Sequence, residues 1–190
     1  MRHTIAECER AGHEHGLSVG LAMALAGAET AQAPGRVAAW PTSGIPSGAT
    51  VVREERGVSF VRTEAGPADP EIAARLAAVR LGLTRRLAER VVEHLSARKV
   101  GGEPTIGKQL VQGALADAHV ATEAARRTLT VAGDCPEAVA DVHHCLTTVD
   151  WELAKLLGAS GFVSVDSSGT GAMFEVHLSR LTAHCWIGAA

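Results

Sequence analysis

The residues that most readily suggest chemistry lie close together, at Asp141, His143, His144 and Cys145. Asp141 and His144 have the i, i+3 spacing with which helices of a bundle present a carboxylate and an imidazole to a di-iron centre. Such a centre needs a second copy of the motif and two further Glu residues on facing helices, and the sequence has no comparable pair. We therefore expect no metal site and interpret the segment as a solvated helix face with Cys145 turned inward.

Sequence motifs of two other catalytic classes are missing. The chain contains no P-loop or GxGxxG pattern, which disfavours nucleoside triphosphatase and dinucleotide-fold functions. Ser160, between Ala159 and Gly161, is not a nucleophile elbow. The formal net charge of -3 and an aromatic content of 3% without any Tyr disfavour nucleic acid as a partner, because neither a basic surface nor base-stacking platforms are available.

Cysteine usage and hydropathy predict a cytoplasmic protein. The 4 cysteines are far apart and form no CxxC pair, so we expect reduced thiols rather than a zinc knuckle or a disulfide scaffold. The apolar stretch 17–26 faintly resembles the core of a signal peptide, but acidic residues precede it. Because no run approaches the roughly 20 apolar residues that span a bilayer, we expect no membrane partner.

Periodic apolar residues then define the elements that would position any site. Asp69 is a good helix N-cap and Pro70 suits the first helical turn, after which Ile, Leu and Val recur at spacings of three or four. Glycines and prolines mark the boundaries of the other predicted helices, with Gly158 as a C-cap. The predicted helices span residues 70–98, 104–131, 136–157 and 172–187. Short connections between them predict an all-α fold class, an antiparallel four-helix bundle over residues 68–190.

The first 67 residues form an N-terminal extension with weaker signals. Residues 2–31 are compatible with one or two helices interrupted near Gly12 and Gly16. Two β-prone runs, 50–54 and 58–63, flank Arg56 and Gly57, which is the pattern of a hairpin. We expect a helix plus a short β-hairpin at the edge of the fold.

The spacing around the first two bundle helices resembles the C-terminal domain of the acyl-CoA dehydrogenase family. Two smaller patterns agree with it: Leu81-Gly82 upstream, and the E-x-A-R sequence from Glu123 to Arg126 downstream. A glycine loop, Gly158 to Phe162, is similar to the family's G-G-x-G-F/Y segment. The residues that match the main family segment in an ungapped register are Arg98, Gly102, Pro104, Gln109, Gln112, Leu115, Ala116 and Asp117.

This resemblance implies a role in binding FAD. In the family, the helical domain holds the diphosphate and adenosine of FAD, often across a subunit boundary. An Arg fork pairs with phosphate oxygens, and glycine allows backbone N–H groups to approach an anion. The residues that the resemblance assigns to FAD are Arg98, Gln109, Gly158, Ala159, Ser160 and Gly161. The structural alternative is that Arg98 interacts with a helix dipole and Gly158 is only a C-cap.

The sequence also departs from the family pattern. Val100 and Gly101 replace a polar residue and a Phe that pack on the flavin, and Lys155 replaces a Gln. The family's catalytic Glu in a Y-E-G-T segment has no counterpart, because no carboxylate side chain follows Glu175.

Two residues are weak catalytic candidates. Some relatives place the base in the first bundle helix, near the position of Ile72, and Glu71 is one residue out of that register. The alternative is that Glu71 is only a carboxylate in the first helical turn, where the helix dipole favours it. The ending from Ser179 to His184 resembles the R-D-x-x-x-x-x-H tail of the flavin monooxygenase branch. His184 is therefore the second candidate, with a packed or capping residue as its alternative.

Together these features predict a truncated acyl-CoA dehydrogenase-like protein, an FAD-associated oxidoreductase acting on an acyl thioester or similar small metabolite. Residues 1–67 are too short to replace the family's N-terminal helical and middle β-domains, so we expect a homo-oligomer or a larger flavoprotein partner to complete the pocket. The alternative is a flavin-free non-redox enzyme, such as a cyclase or dehydratase, or a structural partner subunit built on the same bundle.

Overall fold

The computed structural model describes residues 2–28, 32–161 and 172–188. Within these residues the fold is mostly helical, with short strands. The helices are α1 (Arg2–His15), α2 (Leu17–Ala24), α3 (Pro70–Ala97), α4 (Gln109–Ala132), α5 (Pro136–Leu157) and α6 (Ala172–Ile187). The strands are β1 (Gln32–Ala33), β2 (Val37–Pro41), β3 (Val51–Glu55), β4 (Val58–Arg62), β5 (Glu64–Ala65), β6 (Lys99–Val100) and β7 (Glu103–Pro104).

Helix α3 is the central element and begins where the sequence predicts. The Asp69 side chain accepts hydrogen bonds from the backbone N–H groups of Glu71 and Ile72, at 2.8 and 3.1 Å. These bonds satisfy two of the donors that a helix N-terminus leaves unpaired. The apolar stripe from Ile72 to Leu95 is buried, so α3 packs against neighbours along its whole length.

Helix α4 begins five residues later than predicted, which corrects the expected start at Pro104. Pro104 pairs instead with Lys99 in the antiparallel β6–β7 ladder, whose turn is made by Gly101 and Gly102 at φ values of 68° and 87°. These left-handed conformations suit glycine and reverse the chain, so the helix can form only after Thr105–Gly107, a short 3-10 turn. The predicted helix ends at Gly133 and Gly158 are confirmed.

The N-terminal helices pack directly on α3, which the sequence did not predict. A Cβ added to Gly82 would lie 2.1 Å from the Glu9 carbonyl oxygen, and one added to Gly12 would lie 2.4 Å from that of Val79. The two backbones therefore touch, and only glycine permits this approach. Glu9 also accepts hydrogen bonds from Arg85 and Arg126, each with a nearest distance of 2.8 Å. A bundle of four helices alone is therefore not what the structure shows.

A three-stranded antiparallel sheet, in the order β2-β4-β3, covers one side of the helices. The predicted hairpin is confirmed as β3 and β4, and its turn uses Arg56 and Gly57 at φ values of 49° and 77°. Strand β2 was not predicted. Trp40 of β2 contacts Trp186 of α6 edge to face, with ring centroids 5.6 Å apart. The sheet is therefore attached to the helical core by aromatic packing.

Helix directions define two ends of the helical core. Ala73 lies beside His143 and Thr84 beside Asp150, so α3 and α5 run in the same direction. Leu95 and Leu157, near the ends of these helices, share an apolar cluster with Ile106 and Val111 at the start of α4. We call this region, where α3 and α5 end and α4 begins, the Arg98 end; the region where α3 begins is the Glu71 end.

Candidate functional site

Arg98 terminates α3 and presents its side chain to solvent. Its backbone N–H donates to the His94 carbonyl oxygen at 3.0 Å. Its own carbonyl oxygen accepts from the backbone N–H of Thr105 at 2.8 Å and from the Thr105 hydroxyl at 2.9 Å. The backbone is thus held from both sides while the guanidinium is exposed. A fixed backbone with an exposed fork suits the capture of an anion.

Gln109 is the first residue of α4, and it too is exposed at the Arg98 end. The residue before it, Lys108, is the N-cap and makes no side-chain capping bond. A helix N-terminus carries partial positive charge and unpaired N–H groups that favour anions. Lys99 and Lys108 are both exposed here and add positive charge. We did not select these two lysines from the sequence, although their positions beside the Arg98 and Gln109 register could have indicated them.

The glycine loop begins at the same end. Gly158 caps α5 with φ 57° and ψ -141°, a conformation that disfavours any residue with a Cβ. Gly158–Gly161 form a short 3-10 turn in which Ala159 is exposed. The side chain of Ser160 and the whole of Phe162, the last residue of the predicted motif, lie outside the described residues. Lys155, the departure from the family pattern, is exposed and pairs with Glu152 at 2.6 Å.

The fold therefore brings three of the sequence-predicted elements to one end, and it separates the weak catalytic candidates from them. Glu71 lies in the first turn of α3, exposed, and forms an ion pair with Arg75. Because α3 has 28 residues, its two ends are about 40 Å apart. His184 is exposed near the end of α6, and the last residue of that helix, Ile187, lies by Pro70 at the Glu71 end. Neither candidate is near Arg98.

A groove of about 400 Å³ opens at the Glu71 end between Pro70, Pro136, His143 and Ile187. Its walls are largely apolar. Glu71 does not line it. The groove therefore gives no support to Glu71 as a base acting on a ligand bound there.

A buried polar cluster crosses the centre of the helical core, and the sequence analysis missed it. Arg80 donates to the His143 carbonyl oxygen at 2.9 Å, to the Thr147 hydroxyl at 3.0 Å and to Asp150 at 3.4 Å. The Thr84 hydroxyl donates to Asp150 at 2.7 Å. Arg80 is 3% exposed and Asp150 5%. Arg80 follows Leu76 by four residues, and Asp150 follows Leu146 by four, so each charged residue falls on the apolar stripe of its helix. This placement was the signal from which the sequence could have indicated the cluster.

The His143 ring has a defined tautomer. Its Nδ1 lies 3.1 Å from an Arg80 nitrogen, which can only donate, and its Nε2 lies 3.2 Å from the Ala73 carbonyl oxygen, which can only accept. The ring is therefore neutral, with its proton on Nε2. Burial and the charge of Arg80 lower the pKa of His143 to about 3.

Desolvation outweighs attraction in the buried ion pair. Burial raises the pKa of Asp150 to about 6, although the Arg80 charge and the hydrogen bonds of Thr84 and Arg80 oppose that rise. Burial likewise lowers the pKa of Arg80. The cluster is buried and, apart from Arg80 Nε, which has no partner among the described residues, its polar atoms bond to one another or to nearby backbone, so it is suited to positioning α3 against α5.

The described residues offer neither a cluster of metal ligands nor a membrane-spanning helix. No group of three or more His, Cys, Asp or Glu side chains there is placed to bind a metal ion. None of the helices in that part of the chain is both long and apolar enough to cross a membrane.

Comparison with known proteins agrees with the fold. Residues 73–166 match the family described as acyl-CoA dehydrogenase, C-terminal domain. Among curated protein sequences, none matches significantly. The helical region found here is thus acyl-CoA dehydrogenase-like over residues 73–166, just under half of the chain.

Solved structures show the same architecture at low sequence identity. FkbI, for biosynthesis of the methoxymalonyl extender unit of the Fk520 polyketide immunosuppressant, is 17% identical with a TM-score of 0.56, over 76% of this chain and 49% of that chain. Glutaryl-coenzyme A dehydrogenase in complex with glutaryl-CoA is 17% identical with a TM-score of 0.55, over 76% and 45%. An FAD-dependent dehydrogenase is 18% identical with a TM-score of 0.51, over 75% and 47%. The chain spans about half the length of these proteins.

Proposed function

We propose that this protein is a cytoplasmic, FAD-associated oxidoreductase acting on an acyl thioester or a similar small metabolite, and that its Arg98 end contacts the diphosphate of FAD. The observation that carries the proposal is the convergence of Arg98, Gln109 and Gly158. These residues come from three different helices, and each has the family's register. Two of the solved structures of similar fold are named for acyl-CoA or FAD chemistry, which supports the same reading.

The donors at the Arg98 end fit a diphosphate. Arg98 supplies a bidentate fork, Lys108 a point charge, and the α4 N-terminus unpaired backbone N–H groups. The C-termini of α3 and α5 present carbonyl oxygens at the same end, and these would repel an anion. Positive side chains must therefore supply the attraction. When bound, FAD would supply the acceptor for hydride.

A partner subunit is part of this proposal. Helix α4 exposes three large apolar side chains, Leu110 by 91%, Val120 by 66% and Val131 by 78%. Spacings of 10 and 11 residues place these side chains within about 80° of one another around the helix, and we propose that a partner subunit covers this face. A second copy of the chain, or a larger flavoprotein, would cover this face and contribute the flavin-covering elements. In this proposal the partner also brings the catalytic base, because Glu71 and His184 are remote from the Arg98 end.

The flavin-free alternative rests on Val100 and Gly101. Val100 is 48% exposed in the short β6–β7 turn, where the family has flavin-packing residues. A flavin-free enzyme would be expected to close an apolar cavity over this region. The exposure of Arg98, Lys108 and Gln109 favours an open anion site and thus the FAD proposal.

Flavin uptake tests the proposal directly. The chain is purified alone and after co-expression with a candidate flavoprotein partner, and the visible spectrum is recorded. We expect the absorbance of bound flavin in at least one preparation. A protein that stays colourless in both, even after incubation with excess FAD, would refute the proposal in favour of the flavin-free alternative.

A further inference from the structure

A second cavity, outside the proposed FAD site, lies against the sheet. It is an open groove of about 690 Å³ between β2, β4 and the turn from Pro46 to Thr50. This volume is within the range of about 300–1,000 Å³ that is typical of small-molecule sites. Pro34, just before β2, lies against Gly188 beyond the end of α6, so the groove belongs to the Glu71 end. The family pattern around Arg98 assigns nothing to it.

Two polar groups in the wall of this groove have no partner. Within the described residues, Trp40 Nε1 and Thr63 Oγ1 are buried and form no hydrogen bond. Trp40 lines the groove and is 8% exposed. An unsatisfied buried donor destabilises a fold, and native proteins retain one chiefly where a ligand or function requires it.

Neighbouring polar groups show that partners are normally found in this part of the fold. Trp186, packed against Trp40, donates from Nε1 to the Ala39 carbonyl oxygen at 2.9 Å. The hydroxyls of Thr42 and Ser59 bond to each other at 2.9 Å. Other buried atoms without a partner occur among the described residues, at Arg75 Nε, Arg80 Nε and Thr182 Oγ1, but only Trp40 and Thr63 belong to residues that line the groove.

Charge at the rim of the groove is predominantly positive. Arg36 and Arg62 both line it and are both exposed, against one carboxylate, Glu64. Arg36 also has a left-handed backbone, with φ 58°. Non-glycine residues rarely adopt this conformation, and those that do cluster at functional sites. The backbone N–H of Thr63 donates to the Arg36 carbonyl oxygen at 3.0 Å. This bond joins Arg36 directly to Thr63, whose hydroxyl has no partner among the described residues.

We propose that this groove binds a small anionic amphiphile, a molecule with an apolar body and a carboxylate or phosphate group. The apolar body lies on Val37, Val52 and Val61. The anionic group lies beside Arg36 and Arg62, and a ligand oxygen accepts from Trp40 Nε1 and, after rotation of its side chain, from the Thr63 hydroxyl. This site is independent of FAD, so its failure would leave the proposed function unaffected.

Nuclear magnetic resonance of the full chain tests the proposal with three eight-carbon probes: octanoate, octyl phosphate and neutral octanol. The 3 tryptophans of the chain give separate indole N–H signals, and Trp40→Phe assigns that of Trp40. We expect octanoate or octyl phosphate to move the Trp40 signal downfield in a saturable way, because the N–H gains an acceptor. The two anionic arms distinguish a carboxylate from a phosphate ligand. Saturable binding of octanol as strong as that of both anions would overturn the charge assignment.

Variants separate specific binding from nonspecific association. Arg36→Gln/Arg62→Gln should weaken binding of the anionic probe by about tenfold or more, since charge-assisted bonds are lost. Thr63→Val, which keeps the shape and removes the hydroxyl, should weaken it by about threefold. Arg53→Gln is the matched control, because Arg53 is exposed on the same sheet but does not line the groove. Lack of saturation by both anions, or equal weakening in the Arg53 control, would overturn the proposal.

Discussion

Arg80 and Asp150 are buried where water cannot solvate their charges, and their hydrogen bonds have to compensate. Taking one partner away leaves the other alone in a medium that penalises charge. The two residues differ in how they respond. A lone Asp can bind a proton and become neutral, whereas the guanidinium keeps its proton in proteins. The pair should therefore be asymmetric to mutation.

We predict that Asp150→Asn lowers the free energy of unfolding by about 3–5 kcal/mol, because it leaves Arg80 charged and unpaired. Arg80→Met should cost less, and its cost should shrink between pH 8 and pH 5 as Asp150 is protonated, since its pKa is already raised to about 6 with Arg80 present. Urea unfolding of both variants at the two pH values measures this. A larger loss for Arg80→Met than for Asp150→Asn at pH 5 would contradict the interpretation.

His143 should make the protein sensitive to acid. Its native pKa of about 3 is below the ordinary value of 6.5, so the unfolded chain binds a proton before the native state does. Stability from this residue is complete above about pH 6.5 and is lost as the pH falls towards 3. Asp150 acts in the opposite direction, because its raised pKa lets the native state bind a proton first.

We predict that His143→Gln removes the acid sensitivity due to this ring. Between pH 7 and pH 5 the stability of the variant relative to the wild type should improve by about 2 kcal/mol. Chemical unfolding at the two pH values measures the change. His144→Gln, an exposed neighbour on the same helix, is the control and should show no comparable change; a parallel response of the two variants would contradict a buried neutral His143.

At this scale the sequence could indicate which residues are unusual but not what they contact. Arg80 and Asp150 stand out as charges on apolar stripes. Their pairing joins residues 70 positions apart, and His143 completes it from the same helix as Asp150. Such long-range contacts depend on which helices pack together, and local spacing carries no information about that. Arg98 was selected from a local signal, a register within one segment, and its role in binding FAD stays a prediction.

Capping residues, prolines and glycines determine most of the helix boundaries. Asp69 with Pro70, Pro136, Gly133 and Gly158 mark helix boundaries that the structure confirms, because caps act on adjacent backbone groups. The start of α4 was misplaced because proline is compatible with both a first helical turn and a short strand. The packing of α1 on α3 was missed because its signal is a glycine inside a helix, and such a glycine is compatible with a close helix contact, a functional role or a helix end.

We predict that Gly82→Ala destabilises the fold by about 2–4 kcal/mol, because the new methyl group collides with the backbone of α1 and a packed interface must separate. The matched control is Gly113→Ala in α4, where an added Cβ meets nothing within 4 Å. That change should stabilise the protein by about 0.5–1 kcal/mol through helix propensity. Urea unfolding measures both. Equal effects of the two substitutions would show that α1 and α3 are not in backbone contact.

At the scale of the whole molecule, the two proposed binding sites lie at opposite ends of the helical core. The Arg98 end gathers an exposed Arg, two Lys and a helix N-terminus, and the Glu71 end carries the apolar groove and the sheet groove. The buried Arg80 cluster and the Gly82 contact hold the helices that separate these ends. The family register predicted the first end. The sheet groove could not be predicted, because it depends on how an unpredicted strand, β2, pairs with β4.

The most direct test is a titration of FAD into the preparation that takes up flavin, comparing wild type with Arg98→Gln and Arg127→Gln. Arg127 is exposed near the far end of α4 and serves as the charge-matched control. We predict that Arg98→Gln weakens FAD binding by about tenfold or more, since it removes a charge-assisted bond to phosphate, while Arg127→Gln binds like the wild type. Absence of FAD binding in every preparation, or unchanged affinity in Arg98→Gln, would contradict the assignment of the Arg98 end to the cofactor diphosphate.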